Sequence, residues 1–93
     1  MALNLTGTNS TFRGVEYPYW KITRSQWNVG TDITLLFINP YLSQEYRTAH
    51  PSEWVNELSE QISVNGQVTI EDDGAILYPL FKELPRFTTA TDC

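Results

Sequence analysis

Asn65-Gly66 stands between two short runs of strand-forming residues, 61–64 (Gln-Ile-Ser-Val) and 67–70 (Gln-Val-Thr-Ile). Asn and Gly tolerate the positive φ angles that a two-residue hairpin turn requires, so the pair predicts an antiparallel hairpin. The rest of the chain offers strands and a helix to accompany it. Residues 2–6 alternate like a short strand, and 7–11 (Gly-Thr-Asn-Ser-Thr) read as a loop. Residues 15–27 read as one long strand rich in aromatic and β-branched residues. Trp20 and Ile22 then face one side, with Tyr17, Tyr19 and Lys21 on the other. Pro18 cannot donate a ladder hydrogen bond, which assigns its neighbourhood to an edge or a bulge. After a turn at 28–32, residues 33–38 (Ile-Thr-Leu-Leu-Phe-Ile) form a strand with Ile33, Leu35 and Phe37 on one face and Leu36 and Ile38 on the other, expected to be covered on both faces and to end at Asn39-Pro40.

The second half mixes periods. Residues 42–49 suit one or two helical turns. Ser52 is placed to cap a short helix bearing Trp54, Val55 and Leu58 on one face. The same stretch also alternates as a strand through Leu58, Glu60, Ile62 and Val64, and both readings stand. Asp73 is expected to cap a helix over about 75–84, with Ile76, Leu80 and Leu84 on one face, joined by Leu77 and Phe81. Pro79 fits a helix beginning near Leu77, Pro85 stops it, and 88–93 form a polar tail. The expected fold is one α+β domain over residues 1–93. Four or five antiparallel strands and one or two short helices carry a C-terminal helix packed on the sheet.

Charge narrows the partners. The net charge is −5, with +1 on residues 1–47 and −6 on 48–93. No basic stripe exists to neutralise phosphates, so nucleic acid is not an expected partner. The run from Ile33 to Ile38 is far too short to span a bilayer, so membrane insertion is not expected. No basic region followed by an apolar stretch opens the chain, and synthesis in a cytoplasm without a signal peptide is expected. The triplets Asn4-Leu5-Thr6 and Asn9-Ser10-Thr11 then read as chance matches to a glycosylation motif.

No constellation for catalysis emerges. The single histidine, His50, lies three residues from Glu53 in a polar connection, with Pro51 between them. Two ligands make a weak metal site, and a solvated loop histidine is the plainer reading. Glu71-Asp72-Asp73 lacks the alternating oxygen ligands of a calcium loop, and the five glycines form no phosphate loop. The expectation is a non-enzymatic chain without cofactor or metal. Twelve aromatic residues exceed what a thin core needs. Tyr17, Tyr19, Trp20 and Trp27 read either as core or as an interface or ligand platform, since Tyr and Trp suit both protein partners and sugar rings. Phe87 is a further interface candidate, as is Cys93, a free thiol or an intermolecular tether. Residues 1–6 and 86–93 offer little apolar surface against the cost of ordering them. Partner chains are expected to hold them, by strand addition at the N-terminal segment or docking around Phe87.

The segment from Ile76 to Cys93, with Lys82-Glu83-Leu84-Pro85-Arg86-Phe87 after an amphipathic helix and Ala90-Thr91-Asp92 near its close, resembles the ending of small tailed-bacteriophage proteins. The opening Ala2-Leu3-Asn4-Leu5, the strand at Gly14-Val15-Glu16-Tyr17 and the strand over 33–38 resemble the same group. The likeness covers about half the chain, and residues 50–70 depart from it. It implies a virion structural subunit of tail, baseplate or neck, contacting other virion proteins and copies of itself. The alternatives are a glycan- or ligand-binding module using the surface aromatics, and a small acidic regulator that binds a host protein.

Overall fold

A computed structural model describes residues 2–92, those of 71–73 by their backbone alone. In chain order the elements are β1 (Leu3–Asn4), β2 (Thr11–Phe12), β3 (Val15–Glu16), β4 (Tyr19–Asn28), β5 (Ile33–Tyr41), α1 (Gln44–Ala49), β6 (Glu60–Asn65), α2 (Ile70–Phe81) and β7 (Thr91–Asp92). Five strands form one antiparallel sheet in the order β6-β5-β4-β1-β7, and β2 and β3 pair separately. The fold is α+β with about five sheet strands, as the residue pattern predicts.

The core lies between α2 and one face of the sheet. Trp20 and Ile22 of β4, Leu36 and Ile38 of β5 and Leu3 of β1 meet Leu77, Tyr78 and Phe81 of α2, with Phe87 beyond it. Trp20 is completely buried. Its indole N–H donates to Ser10 Oγ at 2.8 Å, and Phe87 meets its ring edge-on at 4.9 Å between centroids.

Several expectations need correction. The hairpin does not form. Asn65 ends β6 and Gly66 takes a φ of +85°, but the chain then leaves the sheet and enters α2 at Ile70. Gly66 is fastened to the β4–β5 end instead, its N–H donating to Asp32 and its carbonyl accepting from the Thr34 hydroxyl, each at 2.7 Å. The positive φ serves a strand exit rather than a return. Val68 and Ile70, which look like a second strand, pack against the core from the approach to α2 and its first turn.

α2 thus begins before 75 and ends at Phe81. Pro79 lies well inside it rather than in its first turn. A proline there removes the N–H that would bond the carbonyl of Ala75, and both residues are exposed, where water can substitute. Ile76 is 66% exposed and off the core face, whose place is taken by Tyr78. The proposed Asp73 cap lies outside the described side chains. No helix starts at Ser52. A single 3-10 turn at Asn56–Leu58 precedes β6, so alternation prevails from Glu60 onward.

Asn39-Pro40 does not end β5, because Pro40 still pairs with Trp20 and Tyr41 with Tyr19. The Pro40 carbonyl accepts from the Val55 N–H at 3.1 Å, on the side away from β4. In an extended strand N–H and C=O of one residue point the same way, so the proline nitrogen faces a position where the β4 ladder needs no donor. The long strand expected over 15–27 divides at Tyr17-Pro18 into β3 and β4, with the Pro18 carbonyl accepting from Leu5.

The ends of the chain are held by the chain itself. Leu3 pairs with Asp92 and Asn4 with Thr91, so the expected polar tail is a sheet strand. Phe87, with no exposed surface, is core rather than a docking point. Arg86 ties the regions together through Glu60 at 3.0 Å and the Asn9 carbonyl at 2.6 Å. The pairing of residues 3–4 with 91–92 thus supplies within the chain the contacts expected from a partner strand.

β1 is too short to meet all of β4, and the backbone N–H of Ile22 donates across to the Tyr78 hydroxyl at 2.9 Å. Tyr78→Phe is expected to lower stability by about 1–3 kcal/mol, because it leaves a buried donor unsatisfied. Urea unfolding measures the loss, and exchange of the Ile22 amide should quicken in parallel. An unchanged midpoint would show that this hydrogen bond contributes nothing.

Candidate functional site

The aromatic residues singled out in the sequence do not converge. Trp20 and Phe87 are buried in the core. Tyr17 is half-buried and packs against it. Tyr19, half-buried, shares the face opposite α2 with Tyr41. Trp27 pairs with Thr34, whose side is the α2 side, eight residues from Tyr19 along β4. Cys93 lies outside the described residues.

A β-bulge separates Tyr19 from Trp27. Between Ile22↔Ile38 and Arg24↔Phe37 the register shifts, leaving Thr23 as the extra residue. Strict alternation from Trp20 and Ile22 would send Arg24 into the core. The bulge moves it to the opposite face instead, a common use of this device. A charge in core phase after two apolar residues is the sequence signal that reveals such a bulge.

On that face β5 presents Ile33, Leu35 and Phe37, all half-buried and all outside the core cluster. Cross-strand partners share a face, so Gln26, Arg24 and Asn28 flank the row from β4, and Gln61, Ser63 and Asn65 from β6. Segment 42–59 closes one end. The Tyr41 hydroxyl donates to the Pro51 carbonyl, and the Trp54 ring meets Tyr41 edge-on at 6.3 Å. Burial pushes the Tyr41 pKa up, against the opposing pull of Arg47.

Where the closed end meets the apolar row, a cleft of about 230 Å³ opens among Thr23, Arg24, Phe37, Asn39, Trp54, Asn56 and Ser59. The Arg24 guanidinium lies 4.2 Å from the Phe37 ring centroid. The Thr23 hydroxyl donates to Asn39 Oδ1 at 2.7 Å, and Asn39 Nδ2 donates to the Val55 carbonyl at 3.1 Å. The Trp54 indole N–H donates to Asn56 Oδ1 at 2.7 Å. These bonds fix the walls. Among the described residues no carboxylate, histidine or cysteine lines the cleft.

His50 lies at the end of α1. Its Nδ1 is 3.3 Å from Glu53, whose carboxylate also accepts from the Tyr46 hydroxyl at 2.9 Å and thereby raises the Tyr46 pKa. All three form an outer-surface network. Among the described residues no three His, Cys, Asp or Glu side chains gather, and no helix is long and apolar enough to cross a membrane. Comparison with protein families, curated proteins and solved structures finds no match to this chain, so the arrangement of its own residues carries the functional argument.

Proposed function

We propose that this chain is a non-enzymatic structural subunit that works through protein–protein contacts made on the sheet face opposite α2. The observation that carries the reading is the row Ile33, Leu35 and Phe37. It is apolar, lies outside the core, and is rimmed by polar side chains with an arginine-bearing cleft at one end. An apolar centre with a polar rim and an arginine is the usual anatomy of a contact surface. The likeness of the terminal segments to small tailed-phage proteins supports placing the contact in a tail, baseplate or neck. The dispersal of Tyr17, Tyr19, Trp20 and Trp27 favours this reading over a sugar platform, which needs rings sharing one surface.

Mass spectrometry of particles purified from the phage that encodes the chain tests the proposal. The chain is expected in them at a fixed copy number that survives repeated gradient purification. Its absence from particles, with the protein abundant in the lysate of infected cells, would defeat the structural role.

A further inference from the structure

We infer that the Arg24 cleft seats a carboxylate side chain carried by an extended segment of a partner protein, with apolar side chains two and four residues along that segment. The inference rests on the contact role proposed for this face and names the chemistry of its partner.

The hydrogen-bond inventory of the cleft selects an anion. Thr23 gives its hydroxyl proton to Asn39, Asn39 gives its amide to Val55, and Asn56 Oδ1 is taken by Trp54. Among the described lining residues, those whose side-chain donors are not spent in these bonds are Arg24, Asn56 and Ser59. Among the described residues Arg24 has no carboxylate partner, although the chain carries eleven acidic residues. Its planar head is held over Phe37, which leaves its N–H edge for a bidentate acceptor. In a chain of net charge −5, attraction of an anion must be local, and among the described residues Arg24 is the sole charged one lining this cleft.

The row beside the cleft sets the shape of what carries the acid. Phe37, Leu35 and Ile33 project from one face of β5 at every second residue, with Arg24 in register with Phe37. An extended segment places same-face side chains about 7 Å apart, the same repeat. A carboxylate at Arg24 therefore brings the second and fourth residues beyond it over Leu35 and Ile33. A free sugar acid would engage the cleft and leave the row bare.

Nuclear magnetic resonance on the ¹⁵N-labelled chain tests this, with the peptide acetyl-Glu-Ser-Val-Ser-Leu-amide as the probe. The Trp54 indole and Arg24 Nε–H signals should shift on titration, together with the amides of Leu35 and Ile33. The peptide with Gln in place of Glu should bind about tenfold more weakly or worse. Arg24→Gln should erase the difference between the two peptides, and Arg24→Lys should restore only part of it, because the planar fork is lost. Equal binding of both peptides to the unaltered chain overturns the inference without recourse to any variant. Tighter binding of glucuronate than of the acidic peptide overturns its assignment to a protein partner. A chain found in particles whose cleft ignores the acidic peptide refutes this inference alone, leaving the contact role standing.

Discussion

Trp20→Ala is expected to lower stability by about 3–5 kcal/mol, the range for truncating a large buried aromatic. The whole domain has on the order of 5–15 kcal/mol available. Trp20 pairs with both Leu3 and Pro40, so it stands where three strands meet. It also holds Ser10 through its indole N–H and packs edge-on against Phe87. Removing it opens a cavity, leaves Ser10 without its partner and loosens the tail that closes on β1. Urea denaturation followed by far-ultraviolet circular dichroism should show the unfolding midpoint lowered by about 1 M or more. A midpoint within a few tenths of a molar of the parent would mean that the core is organised elsewhere.

Phe81→Ala is expected to cost about 3–5 kcal/mol by the same mechanism at the other wall of the core. Phe81 has no exposed surface and lies 6.5 Å from Phe87, ring edge to face. It is the last residue of α2 and the point where helix and C-terminal turn lock onto the sheet. Leu80, its neighbour, is only half-buried, so Leu80→Ala should cost distinctly less. Equal losses for the two variants would contradict the orientation of α2, and denaturant midpoints of the pair decide it.

What could be read from the residues is what depends on local periodicity. Trp20 and Ile22 face inward opposite Tyr19 and Lys21, and residues 33–38 are a strand, because alternation and β-branching determine both; only the Leu36 and Ile38 face is covered by the core, and the Ile33, Leu35 and Phe37 face is left half-buried. The errors fall where two local signals compete. Asn65-Gly66 does relieve a positive φ, but the run after it belongs to the spacing Ile70, Leu77, Phe81, and burial of that helical face overrides strand propensity. Pro40 survives inside a strand because β6 has ended before reaching it, which only the register reveals. The termini look too polar to order themselves, yet they pair with each other across 89 positions from Leu3 to Asp92. No window of sequence contains that contact. The cleft was hidden for a related reason. Its walls come from β4, β5 and the 54–59 segment, and only the bulge at Thr23 brings Arg24 to that face.

The central claim is that the face bearing Ile33, Leu35 and Phe37 is covered by another protein in the assembled state. Hydroxyl-radical footprinting, performed on the free chain and on intact particles, reads that coverage side chain by side chain without altering the sequence. Leu35, Phe37 and Trp54 should be oxidised readily in the free chain and protected several-fold in particles. Ile76, 66% exposed on the outer side of α2, supplies the reference for a surface away from this face. Equal oxidation of Leu35, Phe37 and Trp54 in both states would contradict the account, and would do so most plainly if Ile76 were the residue that became protected.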